Sequence, residues 1–182
     1  IDSRHGDDAA AGTCPESAWS SLQAANKHAF KPGDVIYLHC GQIFDGQFRP
    51  ISSGADDQPI TLTSYMDGPK PVIAGHGLTR SAVFLENLSH WVIDGIEITN
   101  TGKSREAKRV GVLVFAKNTG LVEDITLRNL LVRDVNGVIS KDKGGGTGIR
   151  WEVDTRNIPT KIDNLLIENC HVLRCDRDAI KG

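Results

Sequence analysis

Apolar and polar positions alternate with a period of two in three stretches of the second half of the chain: WVIDGIEIT, ITLRNLLVR and LLIENCHVL. Such alternation places every second side chain on one face, so each stretch predicts two short strands with one buried face. When the stretches are superposed, a position held by Gly or Asn separates the two strands, and these residue types tolerate the left-handed backbone of a turn. The superposed columns are Trp91/Ile125/Leu165, Ile93/Leu127/Ile167, the turn Gly95/Asn129/Asn169, Ile96/Leu130/Cys170 and Ile98/Val132/Val172.

A third strand recurs between these stretches. It reads AVFLEN, GVLVFAKN, GIRWEVD and DAIKG, beginning at Ala82, Gly111, Gly148 and Asp178. No single repeat can bury its own apolar face, so the repeats must stack on each other. The sequence therefore predicts a solenoid of three-stranded β-coils over residues 35–182, within a single domain of residues 1–182.

The N-terminal part has a different pattern. Apolar residues at helical spacing over Ser17–Phe30, with Ser17 or Ser20 as a possible N-cap, predict an α-helix that Pro32 and Gly33 would end. The end of a solenoid exposes backbone groups and core side chains that need a cover. We therefore expect a capping helix over residues 17–30.

Composition excludes some function classes. The 182 residues are 39% hydrophobic and 24% charged, with a formal net charge of −2, which is typical of a soluble globular chain. No apolar run approaches the roughly 20 residues of a membrane helix. No basic stripe with interleaved aromatic residues suggests nucleic acid. We therefore expect neither a membrane span nor a nucleic-acid partner.

The four cysteines show no metal-ligand or redox spacing. Cys14 and Cys40 flank the predicted helix and first strand, so a disulfide and two free thiols are both open for this pair. Cys170 and Cys175 fall in core columns, which favours buried thiols that act as small hydrophobic residues.

Candidate chemistry lies on the outward positions of one strand. In GIRWEVD, inward-facing apolar residues leave Arg150, Glu152 and Asp154 on the outer face. Because stacked strands lie about 4.8 Å apart, the next coil should bring further charged groups beside them. These are Asp176, Asp178 and Lys181.

A long loop adds positive charge near this patch. The segment 102–109 carries Lys103, Arg105, Lys108 and Arg109. Insertions of this kind commonly lie on the binding face of a solenoid. We therefore predict that Arg105 and Lys108 bind substrate together with Glu152 and Asp154.

The first eighty or so residues carry a family resemblance. The helix in WSSLQAAN, the PGD that leads into DVIYLHCGQIF, and the turn GPKPVIAGHG resemble the N-terminal region of the pectate-lyase-like superfamily. That superfamily contains secreted polysaccharide lyases and glycoside hydrolases. The resemblance implies a right-handed parallel β-helix with an N-terminal capping helix, a secreted or periplasmic location and a polysaccharide substrate. It does not define the reaction, because one fold supports many chemistries.

Members of this superfamily are usually longer than this chain. The last residues, CDRDAIKG, align with the opening of another coil. We therefore expect the chain to be the N-terminal portion of a longer solenoid, completed by further residues or by another chain.

Two reactions suit the charged patch. A lyase that acts on an acidic, uronate-containing polysaccharide neutralises the uronate carboxylate and removes the neighbouring proton; Arg150, Lys181, or Ca²⁺ held by Glu152, Asp176 and Asp178 would serve. A glycoside hydrolase uses two carboxylates, here Asp176 with Asp178 or Glu152. The basic residues favour the lyase slightly, and a non-catalytic glycan-binding or structural role remains a third hypothesis.

Overall fold

A computed structural model describes residues 1–140 and 142–182. Nearly all of its regular structure is β-strand. Its one α-helix in the described residues is α1, Leu22–Lys27, preceded by a 3₁₀ turn at Pro15–Ser17. The strands are β1 Val35–His39, β2 Ile43–Asp45, β3 Ile60–Tyr65, β4 Val72–Ala74, β5 Ser81–Glu86, β6 Trp91–Asp94, β7 Glu97–Asn100, β8 Val110–Lys117, β9 Leu121–Arg128, β10 Leu131–Val135, β11 Thr147–Asp154, β12 Lys161–Glu168, β13 His171–Cys175 and β14 Asp178–Lys181.

The strands form three parallel sheets. Sheet A has the order β1-β3-β6-β9-β12, sheet B has β13-β10-β7-β4-β2, and sheet C has β14-β11-β8-β5. Each repeat of the sequence contributes a strand to each sheet in turn. In sheet A, Trp91 pairs with Ile60 on one side and with Ile125 on the other. Ile125 in turn pairs with Leu165, so the first column of the superposed repeats is a row of neighbours in the structure.

The inward column of each sheet forms the core. Trp91 and Ile93 of β6 and Ile98 of β7 are fully buried. The ring of Trp91 packs edge-on against Phe48, with the ring centroids 5.9 Å apart. Its indole N–H donates to the carbonyl of Ser52 at 2.8 Å, which satisfies the one polar atom of this large buried side chain.

The turn column also agrees with the sequence. Gly95, Asn129 and Asn169 have φ angles of 72°, 54° and 50°, all in the left-handed region. Asn and Gly adopt this conformation at low cost, so the chain can leave sheet A and enter sheet B with only two residues between the strands.

The structure corrects the predicted fold class. The prediction was a right-handed parallel β-helix solenoid with a capping helix over residues 17–30. The structure is instead nearly all β-strand, in three parallel sheets, and among the described residues 17–30 only the six residues of α1 are α-helical in place of that capping helix. The expectation that further residues or another chain complete a stack of coils is likewise without support in the described residues. Organisation as one domain stays a prediction.

The helix prediction was wrong because polar contacts interrupt the apolar pattern. The carboxylate of Asp8 accepts hydrogen bonds from the backbone of Ser20 and Ser21 at 2.8 and 2.9 Å, which holds these residues outside a helix. The side chain of Ser21 then caps α1, and His28 returns to extended backbone at φ −79° and ψ 133°. Fewer than two turns of helix remain between these two residues.

The short α1 is far below the length and hydrophobicity of a membrane-crossing helix, and no other helix in the described residues reaches them.

Candidate functional site

The predicted charged residues lie on β11 and β14 of sheet C and in the neighbouring loops, where Arg105 and Asp176 stand. Strand β11 pairs with β14, which places Arg150 beside Lys181 and Thr147 beside Asp178. Inward-facing Ile149 is buried, as the alternation predicts, whereas Val153 is 44% exposed. Pairing with β14 reaches only as far as Arg150, so the last residues of β11 have no strand on that side.

Glu152 lies between two guanidinium groups. Arg80 Nη2 donates a hydrogen bond to its Oε1. The Nε of Arg150 lies 2.8 Å from the same oxygen, as an ion pair whose geometry does not make a hydrogen bond. Arg150, predicted to be catalytic, and Glu152, predicted to bind substrate, are therefore already neutralised within the protein.

Asp176 is held by a guanidinium group and a backbone N–H. Arg105 approaches it with Nε at 2.7 Å and Nη2 at 3.4 Å, and the backbone N–H of Gly137 donates to it at 2.9 Å. The hydrogen bond from Arg105 is the largest cause that lowers the pKa of Asp176 below its usual value. Asp176 is thus ionised at neutral pH, and Arg105, predicted to bind substrate, is its counter-ion.

Asp178 has longer contacts. Its Oδ2 accepts from Thr147 Oγ1 at 3.4 Å, and Lys181 Nζ lies 3.6 Å away. The Nε of Arg177 is 3.4 Å from the same oxygen. The structure therefore joins Asp178 and Lys181, two of the predicted catalytic residues, and leaves the carboxyl group half-buried rather than enclosed.

Asp154 and Lys108 are less closely tied to this group. Arg156 hydrogen-bonds the carboxylate of Asp154 and lowers its pKa to about 2, and Lys117 is its strand neighbour. The side chain of Lys108 is exposed, and its backbone carbonyl accepts from Arg80 at 3.3 Å.

Arg109 differs from its expected role. From the sequence, Arg109 was expected to be one of the basic residues of an exposed loop, yet only 2% of its surface is exposed. It donates to the carbonyls of Ser104 at 2.7 Å and Gly77 at 3.3 Å, and to the side chain of Asn136. Arg109 therefore anchors the loop that delivers Arg105 to Asp176.

The predicted calcium ligands each have cationic neighbours: Glu152 beside two arginines, Asp176 beside Arg105 and Asp178 beside Lys181. The calcium site stays a prediction. In the part of the chain that the structure describes, metal-ligating side chains converge elsewhere, at Asp56, His90 and Asp124.

Sequence reasoning missed this second cluster, although a sequence signal was present. His90, Asp124 and Asn164 each stand one position before Trp91, Ile125 and Leu165, the first column of the superposed repeats. Residues in one column of stacked parallel strands are neighbours, so this preceding column predicts an outward row of polar groups.

All four cysteines are free thiols. Cys170 and Cys175 pack against the core, and burial raises the pKa of Cys175 to about 11. The two thiols therefore pack as apolar groups, as predicted, but they are partly rather than fully buried. A disulfide between Cys14 and Cys40 is not formed.

No family model matches the chain. The chain is nevertheless similar to lacto-N-biosidases, and the solved ones are described as GH136 enzymes. A lacto-N-biosidase of Bifidobacterium longum subsp. longum is 28% identical over 245 residues, which covers 99% of this chain and 15% of the relative. The native crystal structure of GH136 lacto-N-biosidase from Eubacterium ramulus has a TM-score of 0.83 at 28% identity, covering 96% of this chain and 34% of that one.

An alginate lyase from Paenibacillus sp. str. FPU-7 is more distant, with a TM-score of 0.53 and 24% identity over 80% of this chain and 54% of the lyase. This level of similarity indicates a shared fold only.

These comparisons overturn the family resemblance. The relatives are lacto-N-biosidases of GH136, and no link from them to the pectate-lyase-like superfamily is shown. The N-terminal motifs behind the resemblance are turns and strand entries, which report local backbone geometry rather than descent or reaction. The relatives support a carbohydrate-active enzyme and favour the hydrolase hypothesis over the lyase.

Proposed function

We propose that this chain is part of a glycoside hydrolase with lacto-N-biosidase activity. One observation carries the proposal: the similarity to GH136 lacto-N-biosidase extends over 96% of the chain, with a TM-score of 0.83. The chain spans 15% of the curated relative and 34% of the solved one, so the proposal concerns the complete protein. A secreted or periplasmic location fits an enzyme that meets glycans outside the cell.

The charges on sheet C argue for hydrolysis over β-elimination. A lyase requires a cation that is available to a substrate carboxylate. The Nε of Arg150 lies 2.8 Å from Glu152, and Lys181 lies 3.6 Å from Asp178. Because these cations already have carboxylate neighbours, substrate would have to compete with Glu152 and Asp178 for them.

We assign the two hydrolase roles to Asp176 and Asp178. Asp176 keeps its negative charge through Arg105 and the Gly137 N–H, which suits a nucleophile or base. Asp178 is our candidate for the second carboxylate; its contacts are 3.4 Å or longer, so it is less tightly held than Asp176. Arg105 then acts as a positioning residue for Asp176.

The test uses the complete protein that contains this chain. We expect it to release the aryl group from a chromogenic aryl lacto-N-bioside, and Asp176→Asn and Asp178→Asn to lower kcat by about 10²–10⁴-fold. Asp163→Asn is the matched control, because Asp163 is an exposed carboxylate paired with Lys161 on sheet A. Circular dichroism verifies that each variant is folded.

The same protein is also incubated with uronate polymers, which are substrates of a lyase. Ultraviolet absorbance from an unsaturated uronate product, without release of the aryl lacto-N-bioside, would overturn the proposed function. Full activity of both Asp variants on the lacto-N-bioside would keep the function and reject the two assigned residues.

A further inference from the structure

A second cluster of polar side chains lies at the start of three neighbouring strands of sheet A. Asp56 is in the loop before β3, His90 directly precedes β6, and Asp124 lies within β9. The backbone of His90 is fixed on both sides. Its N–H donates to the backbone carbonyl of Glu123 at 2.9 Å, and its carbonyl accepts from the backbone N–H of Ile60 at 3.0 Å. The parallel ladder thus presents one ligand-type side chain from each of three successive repeats.

The separations within the cluster suit a shared small cation. His90 Nδ1 is 3.3 Å from Asp124 Oδ2 and 3.8 Å from Asp56 Oδ1, and all three ligand atoms lie within 4.8 Å of one another. Metal–ligand bonds of about 2.0–2.2 Å at tetrahedral angles place neighbouring ligand atoms about 3.3 Å apart. Asp56 has a side chain that is 92% exposed, so it is free to close the remaining gap.

Neighbouring groups orient these ligands. The amide of Asn164 donates to Asp124 Oδ1, which leaves Oδ2 turned toward the imidazole. On the far side of the ring, Glu123 Oε1 lies 4.0 Å from His90 Nε2. A carboxylate at the second imidazole nitrogen is the usual companion of a metal-bound histidine, because it keeps the lone pair of the first nitrogen directed at the metal.

The charge of the cluster distinguishes it from the sheet C patch. On sheet C, arginine or lysine neutralises each carboxylate of the patch. By contrast, the only ion-pair partner of Asp56, Glu123 and Asp124 within the described residues is His90, whose side chain is 14% exposed. Three carboxylates around one largely buried imidazole leave an excess of negative charge that a divalent cation would balance.

We propose that Asp56, His90 and Asp124 bind a divalent transition-metal ion of the zinc type. Imidazole nitrogen together with carboxylate oxygen favours Zn²⁺ over Ca²⁺, which prefers six or more oxygen ligands. The three side chains open into a cavity of about 420 Å³ that Val92, Thr126 and Asn164 also line. A fourth coordination position therefore faces solvent, where water or a ligand oxygen binds. The ion would join three successive strands of sheet A at a place separate from Asp176 and Asp178.

The experiment titrates Zn²⁺ into the complete, chelator-treated protein by calorimetry, with Co²⁺ as a spectroscopic substitute. We expect saturable Zn²⁺ binding and the visible absorption of four-coordinate Co²⁺. His90→Gln and Asp124→Asn abolish both, and Asn164→Ala weakens the affinity about 10–100-fold because it only orients Asp124.

Two variants control for other sites. His76→Gln removes an exposed histidine 2.6 Å from Asp45, and Asp163→Asn removes an exposed carboxylate of β12. Both should bind Zn²⁺ as the wild type does. If the wild type binds no Zn²⁺, or if folded His90→Gln binds it equally well, the proposal is wrong.

Discussion

At the scale of single residues, many positions in this protein have left-handed backbone. The turn residues Asn129 and Asn169, with φ of 54° and 50°, occupy the same column of the superposed repeats as Gly95. A residue with a Cβ and no compensating side chain pays about 1–2 kcal/mol for this conformation. The choice of Asn and Gly therefore permits the tight passage between sheets A and B.

Asn169 allows a direct test of this cost. We expect Asn169→Ala to lower the free energy of unfolding by about 1 kcal/mol, because alanine has no polar group to stabilise left-handed backbone. Asn169→Gly should retain most of the stability, since glycine adopts positive φ freely. Urea unfolding of both variants measures the difference, and an equal loss in the two would contradict the explanation.

Asp134 is expected to make stability depend on pH. Hydrogen bonds from Arg174, the largest cause, and from Arg133 lower the pKa of Asp134 from 3.8 to about 2. A carboxyl group with a lowered folded-state pKa stabilises the fold above its ordinary pKa, and this contribution is lost as the pH falls through 3.8 toward about 2.

Asp134→Asn should therefore cost about 1 kcal/mol at neutral pH, a value reduced for solvent screening of this partly exposed carboxylate. The cost should shrink as the pH falls through 3.8 and be largely lost near pH 2, where about half of the wild-type groups are protonated. Urea unfolding across this pH range measures it, and a constant difference between variant and wild type would count against the ion pair as its cause.

At the scale of elements, period-two burial explains why the strands pair where they do. In β7, buried Ile98 lies between Ile73 of β4 and Val132 of β10, while Thr99 faces outward. A shift of one residue in register would turn every such side chain to the wrong face. The pattern was readable from sequence because strands such as β7 bury only one face.

Ile98→Ala should lower the free energy of unfolding by about 2–5 kcal/mol, because the cavity forms in a fully enclosed row. Thr99→Ala on the opposite face should change it by less than about 0.5 kcal/mol. Urea unfolding of both variants, with unchanged slopes of the transition, measures these free energies. Similar losses for the two substitutions would contradict the conclusion that Ile98 faces the core and Thr99 faces outward.

The N-terminal helix shows where element prediction failed. Leu22, Ala25 and Ala29 do have helical spacing, and the first two are buried. Phe30 instead packs against Trp19 and His28, with ring centroids 6.4 and 4.8 Å away. Long-range contacts of Asp8 and this aromatic cluster outweigh local propensity, which contributes only fractions of a kcal/mol per residue.

At the scale of the whole molecule, charge is distributed unevenly although the net charge is small. On sheet C the carboxylates and arginines neutralise each other, as in the contact of Arg105 with Asp176. Near the N-terminal ends of β3, β6 and β9 of sheet A, the carboxylates of Asp56 and Asp124 lie close to His90. Within the described residues, neither carboxylate forms an ion pair with arginine or lysine. These two surfaces carry the two proposals, hydrolysis on sheet C and cation binding on sheet A.

Sequence alone determined the repeat, the inward columns, the left-handed turn positions and the association of charged groups on β11 and β14. These follow from backbone periodicity and from the residue types that a turn accepts, both of which are local. Tertiary structure alone decided the length of α1, the pairing of Arg105 with Asp176, the burial of Arg109 and the convergence on His90. Each of these depends on which distant residues meet, as with the 71 residues that separate Arg105 from Asp176. For His90 and Asp124 the repeat column indicated proximity, but only the tertiary structure brought Asp56 and the side-chain atoms together.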